Sequence, residues 1–495
     1  MKVHADTRLR AGIALILCAG FSITAAAQGP RLAELAKQQD RAALRTLVAS
    51  GADVNVAQGD GATALHWAAH WDDAEMAGLL LRAGARINAA NDFGVTPLLL
   101  ASTNGRPAMI AMLLEAGADP NQVAANGEAP LMIAARTGSL EAVDALLGRG
   151  AEVNYKTPGT GQSALMWAIA EKQSKVASRL VERGADIHAR STGGYTPLLF
   201  AARVGDLESA KMLVAAGADI NDKTPDQTSA LGVAVVRGHT ALAIDLLERG
   251  ADANASAPGY TALHWASGSW ETELTGPNGI DAQGIEEWSS LAGVPRDKIE
   301  LIRALLAHGA DVNARLAKAP PRAGYTQLPV EHRVVGVNPY PGATPFLLAA
   351  MAAEVDVMRV LAENGADPRL AANDGTTPLM VAAGLGRYLA ESRVTEDRAL
   401  ATVRLALELG GAINAVNESG NAALHGAAHT KANTIITFLA GNGADLNLRN
   451  KRGQTPLMIA DTVRAGSATV NQKTPTGDLL RSLGAESSPA EPTRR

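Results

Sequence analysis

The chain is short of the residues that most chemistry needs. One cysteine, Cys18, occurs in 495 residues, and aromatic side chains make up only 3% of the sequence. A single thiol excludes an internal disulfide, a thiolate metal site and haem attachment through a C-x-x-C-H motif. Cys18 lies in an N-terminal stretch with the marks of a leader. Lys2, Arg8 and Arg10 precede an apolar run from Ala11 to about Thr24, and Ala25-Ala26-Ala27 follows. That order matches the charged region, apolar region and small-residue cleavage site of a secretory signal peptide. The run is too short for a membrane span of about 20 residues, so cleavage is expected after Ala27. Leu17 before Cys18 disfavours lipid attachment, which calls for a small residue there. The mature chain would then lack cysteine altogether. No second long hydrophobic run is present, so no membrane span is expected after cleavage. Nor does the sequence contain a G-x-S-x-G elbow, a Walker-type loop, a dinucleotide fingerprint or a zinc-protease motif. No catalytic residue and no cofactor are therefore expected.

Basic charge is not in excess either. The formal net charge is −5, and removing the leader, which is itself net positive, makes the remainder more acidic. Such a balance aids solubility and argues against nucleic acid as the main partner.

What the chain has in abundance is a rhythm. Gly-Ala-Asp begins at Gly51, Gly117, Gly184, Gly217, Gly250, Gly309, Gly365 and Gly443, with degenerate copies at Gly84, Gly150, Gly411 and Gly484. From Gly51 to Gly250 the interval is 33 or 34 residues. A period of that size marks stacked units, each too small to bury its apolar face alone. A second motif usually falls twelve residues after the glycine: Thr96-Pro97-Leu98, Thr196-Pro197-Leu198, Thr377-Pro378-Leu379 and Thr455-Pro456-Leu457, with Thr344-Pro345-Phe346 displaced by an insertion. Thr63-Ala64-Leu65-His66 and Thr261-Ala262-Leu263-His264 are variants. A threonine hydroxyl caps orphan N–H groups, and proline at the first helical position forfeits no hydrogen bond. A second helix follows in each unit. In the stretch 207–214, Leu207, Ala210, Leu213 and Val214 share one face, and Gly217 closes the helix in the left-handed region.

This unit resembles the ankyrin repeat, through G-x-T-P-L-H-x-A-A, a second helix and L-L-x-x-G-A-D-V-N. The resemblance covers most of residues 30–486. It implies an all-α ankyrin-repeat solenoid of about twelve helix-turn-helix units joined by β-hairpin loops, with a concave binding face. The first unit, about 30–57, lacks Thr-Pro-Leu and reads as an N-terminal cap. The expected organisation is a signal peptide at 1–27, N-terminal repeats at 28–267, an eighth repeat with two insertions at 268–341, C-terminal repeats at 342–486 and a disordered tail at 487–495.

The period breaks twice, to 59 residues between Gly250 and Gly309 and to 56 between Gly309 and Gly365. One insertion, about 268–296, parts the two helices of the eighth unit and holds Trp270 and Trp288. The other, about 316–341, lengthens the loop before the ninth and holds Tyr325, His332 and Tyr340. Smaller ones lie near 384–398 and 464–475. Insertions in such arrays are loops that often shape the binding surface, although growth of a surface loop also costs little.

His66 and His70, and likewise His425 and His429, are four apart on a helix and so able to share a metal. No third ligand accompanies either pair, and the resemblance gives His66, His264 and His425 a structural hydrogen-bonding position. No metal site is expected. Trp67, Trp167 and Trp265 recur at one repeat position, which points to packing. Trp71 falls at a helix end and is expected to be exposed. Arg136, Arg203 and Arg237 lie at comparable or adjacent helix ends, with Tyr195 and Tyr260 before the capping residues. With Tyr325 and Tyr340 they form the candidate protein-binding set, of types enriched in binding hot spots. The expectation is a monomeric, non-catalytic bacterial scaffold, periplasmic or secreted, binding an unidentified protein through its concave face and hairpin loops. Alternatives are an accessory to an exported enzyme and a secreted host-directed effector.

Overall fold

The computed structural model describes residues 31–225, 227–257, 259–268, 295–317, 341–386, 394–465 and 468–486. It divides after Pro225 into two compact units, and each contains six helix pairs among the described residues. In unit 1 the pairs are α1 (Arg31–Lys37) with α2 (Arg41–Ala49), α3 (Ala64–His70) with α4 (Ala74–Arg82), and α5 (Pro97–Thr103) with α6 (Pro107–Glu115). They continue as α7 (Pro130–Thr137) with α8 (Leu140–Gly148), α9 (Ala164–Ala170) with α10 (Ser174–Glu182), and α11 (Pro197–Val204) with α12 (Leu207–Ala215).

Unit 2 repeats the scheme with α13 (Ala230–Val236) and α14 (Thr240–Glu248), then α15 (Ala262–Ser267) and α16 (Pro295–Ala307). Next are α17 (Pro345–Met351) with α18 (Val355–Glu363), and α19 (Pro378–Ala382) with α20 (Glu396–Glu408). The last are α21 (Ala423–His429) with α22 (Asn433–Gly441), and α23 (Pro456–Ala460) with α24 (Pro475–Ser482). The fold class is the expected all-α repeat solenoid. Most connecting loops are turns and not ladders. Regular strands are confined, among the described residues, to β1 (Ser256–Ala257) with β2 (Tyr260–Thr261), and β3 (Thr462–Ala465) with β4 (Ala468–Asn471), both antiparallel.

The helix boundaries follow from the local chemistry. Thr96, Thr344 and Thr455 each hold an extended backbone, and each hydroxyl accepts the N–H three residues on, at 3.2–3.3 Å. A proline at the first helical position then fixes the turn at no cost in hydrogen bonds. At the other end, Gly217 has φ +99°. Its N–H reaches Val214 O at 3.0 Å, and that of Ala218 reaches Leu213 O at 2.9 Å, satisfying two terminal carbonyls. In the tenth pair the left-handed residue is Gly410 (φ +93°), not the Gly411 suggested by the recurring tripeptide. Gly411 takes the alanine place and donates to Ala406 O at 2.9 Å.

Four residues before the closing glycine lies the core's most regular feature. Leu80, Leu113, Leu146, Leu180 and Leu213 in unit 1 are fully buried, as are Leu246, Leu305, Leu361, Leu439 and Leu480 in unit 2. Facing small residues such as Ala68, Ala69, Ala134, Ala201 and Ala202 have no exposure and let the helices approach closely.

Consecutive loops are tied by asparagine. Asn121 Nδ2 donates to Gly150 O at 3.0 Å, and its Oδ1 accepts the Glu152 N–H at 2.8 Å. Asn55, Asn88 and Asn154 form the same bridge in unit 1, and Asn254, Asn313 and Asn414 in unit 2.

The insertions start from closed bases. At 268–296, α15 and α16 flank the excursion, and the half-buried Lys298 Nζ donates to Gly268 O at 2.9 Å and pairs with Glu354 at 3.6 Å. At 316–341, Leu316 exchanges bonds with Gly342 and Ala343 at 2.7 and 2.9 Å. In the last pair β3 and β4 form a ribbon whose root is locked by Asp461. Its Oδ1 accepts the Thr474 N–H at 3.0 Å, its carbonyl accepts the Gln472 N–H at 2.8 Å, and Oδ2 pairs with Arg481.

Candidate partner-binding surface

In most pairs the first helix ends seven or eight residues after its capping residue, so side chains at those two distances fall at one end of it. In the second pair these are His70 and Trp71. Trp71 is 40% exposed, and its indole is held by a 3.2 Å bond from Nε1 to Lys37 O. Its ring stacks on Trp67 at 6.5 Å and meets His70 edge-on at 4.6 Å. Trp67 beneath is buried, with Nε1 donating to Gln58 Oε1 at 2.9 Å and the Lys37 ammonium 5.3 Å above its ring. Desolvation pushes the half-buried His70 below the ordinary histidine range, which favours a neutral ring between the two tryptophans. Trp71 is thus the exposed member of a set of packed rings.

The other candidates are dispersed. Arg136 is only 4% exposed, its guanidinium 5.0 Å from the Trp167 ring. Tyr260 is 8% exposed and lies 5.8 Å from Trp265. Both are packed into the array: Arg136 lies over the indole of the following repeat, and Tyr260 beside the Trp265 of its own. Tyr195 is half-buried, edge-on to Phe200 at 6.1 Å, and Arg203 lies over that same ring at 4.9 Å, giving a second, smaller cluster in unit 1. Arg237 is half-buried at the end of α13 in unit 2. Tyr325 and Tyr340 lie outside the described residues, as do His332, Trp270 and Trp288.

The histidines three residues after the cap position, His66, His264 and His425, are structural in detail. His66 Nδ1 accepts the Thr63 N–H at 3.0 Å, while Nε2 is 3.0 Å from Val95 O in the next repeat. Burial lowers its pKa to about 4, and that of His264, bound to Thr261 and Ala314, likewise to about 4. His425 joins Ala422 to Gln454 in the same way and is also lowered by burial. Both nitrogens of each ring are thus occupied.

Sequence reasoning missed Lys37 and the asparagine bridges. The bridges had a visible signal, an Asn four residues after nearly every closing glycine, but no single unit shows what it bonds to. Lys37 had none, because the capping unit lacks the motif that would align it.

A family model agrees with this architecture. The family model of ankyrin repeats matches residues 32–124, 116–191 and 198–273. The human neurogenic locus notch homolog protein 1 is 34% identical over 122 residues, 24% of this chain and 4% of that protein. The mouse B-cell lymphoma 3 protein homolog is 31% identical over 129 residues, 26% of each. The chain therefore spans about a quarter or less of these relatives. Among solved structures, the human ASB11 ankyrin repeat domain is 28% identical, covering 45% of this chain and 98% of that one, with a TM-score of 0.41. The chain carries ankyrin repeats, matched over residues 32–191 and 198–273, within an all-α array of helix pairs.

Proposed function

We propose that this chain is a non-catalytic scaffold of the bacterial periplasm or exterior that binds another protein through its concave face and hairpin loops. Trp71 carries the reading. A tryptophan 40% exposed to water, yet fixed by a hydrogen bond and two ring contacts, offers a large apolar area that loses little entropy on binding. Arrays of ankyrin repeats are generally protein-interaction modules, which supports the same conclusion. Among the described residues no helix is long and apolar enough to cross a membrane. The leader-like stretch Lys2 to Ala27 supports export.

Photo-crosslinking in intact cells from a residue beside Trp71 tests the proposal. Capture of one discrete protein, lost in Trp71→Ala while the melting curve is kept, is the expected result. Unchanged capture in that variant would place binding elsewhere. Retention of the protein until osmotic shock, against release to medium, separates a periplasmic from an exterior role.

A further inference from the structure

Two rows of hydrogen bonds join successive hairpin loops. The first is the asparagine bridge. The second runs between loop tips, where one N–H donates to a carbonyl of the preceding loop: Asp92 to Asp60 O at 3.0 Å, Ala125 to Phe93 O at 2.9 Å and Thr192 to Thr160 O at 2.8 Å. Unit 2 has the second row in Ala317 to Gly259 O, Asn373 to Pro341 O, Glu418 to Asp374 O and Lys451 to Ser419 O.

Each row is broken in places, for a legible reason. Pro158 and Pro225 stand where the tip donor belongs, and proline has no N–H. His188 and Arg369 stand where the bridging asparagine belongs. The Pro158 loop keeps its asparagine bridge through Asn121, and the loop after Arg369 keeps its tip bond through Glu418. Among the described loop pairs within either unit, only 184–194 with 217–225 loses both rows. His188 is exposed, and its backbone N–H turns back to Asp186 Oδ1 at 2.9 Å. Gly217 O and the Asp219 N–H, the groups an asparagine would satisfy, have no such bridge.

A different device spans this gap. Arg190 Nη1 donates to Gly194 O in its own loop at 2.7 Å and to Lys223 O in the next at 3.1 Å, while Nη2 pairs with Asp222. Arg190 is 47% exposed, so its ion pair with Asp222 weakens as salt rises, which the neutral asparagine bridges do not.

We propose that this loop pair is the opening point of unit 1, with Arg190 as its latch: the 217–225 loop parts from the 184–194 loop while the helices beneath stay packed on the buried Leu180 and Leu213. The inference is independent of which partner binds. Hydrogen exchange on the full chain, read by mass spectrometry with residue-level fragmentation, tests it. The Asp219 amide exchanges about fivefold or more faster than the bridged amides of Asp119, Glu152 and Asp186, the factor for one net hydrogen bond of about 1 kcal/mol. His188→Asn slows Asp219 to their level, and Arg190→Ala or raised ionic strength speeds exchange across 217–224. Asn121→His exports the break to the Pro158 loop and must speed Glu152 by a similar factor. The proposal is overturned if wild-type Asp219 is as slow as the bridged amides. It is equally overturned if His188→Asn, shown folded by circular dichroism, leaves Asp219 unchanged, or if Asn121→His leaves Glu152 unchanged.

Discussion

Acidification should weaken both units through His66 and His264. Each ring is neutral in the fold because burial pushes its pKa down to about 4, whereas in the unfolded chain it titrates near about 6.5. The unfolded state therefore takes the proton first as pH falls. The stability associated with these rings is complete above about pH 6.5, declines toward about pH 4, and changes no further below it. Each pH unit in that window is worth about 1.4 kcal/mol per histidine, so crossing it removes about 3 kcal/mol from each unit. That is a large fraction of the roughly 5–15 kcal/mol that typical domains possess. The structural cause is specific. A protonated His66 cannot accept the Thr63 N–H at Nδ1, and a buried donor is left without its partner. His425, His70 and His429 are lowered by burial as well and act in the same direction. Urea unfolding followed by far-ultraviolet circular dichroism at a series of pH values reads the effect. His66→Gln and His264→Gln should be less stable at neutral pH but less sensitive to acid. A midpoint that is flat across the window, or variants with the wild-type slope, would refute the reasoning.

Other outcomes follow from the packing. Leu213→Ala removes a fully buried leucine from the spine and should cost about 2–5 kcal/mol in chemical denaturation. Asn121→Ala leaves Gly150 O and the Glu152 N–H without their bridge and should cost about 1–2 kcal/mol, water replacing part of the loss at this exposed edge. Ala353 has φ +55° at the turn position that Gly105, Gly138, Gly205 and Gly238 hold elsewhere. Ala353→Gly should therefore gain up to about 1 kcal/mol, seen as a raised melting temperature. Trp71→Ala should shift stability by less than about 1 kcal/mol, since the ring is partly exposed, and a larger loss would make it a packing residue first.

Sequence spacing made the repeat legible because the features that set helix ends are local. Thr96 caps its own helix and Gly217 ends its own, so both could be read within one unit. The one-residue error at Gly411 arose where two glycines adjoin and only the hydrogen bonds choose between them. Exposure was harder to read. Arg136 and Tyr260 are hidden by aromatic neighbours, in the first case from the following repeat, and position within a single element does not show those neighbours. Trp71 could be placed beyond the paired alanines, but its fixing by Lys37 O comes from the unit before. The asparagine bridges are likewise a property of pairs of units.

The Asp461 lock at the root of the terminal ribbon has a practical consequence. Because one carboxylate gathers Thr474 and Arg481 beneath the two strands, the helix pair is closed before the ribbon begins. The ribbon is then a handle, not a strut. A fluorophore or an epitope substituted around Val470, which is 40% exposed, would report on the array from outside its stack, and a foreign hairpin spliced between Thr462 and Asn471 would inherit a ready-made socket.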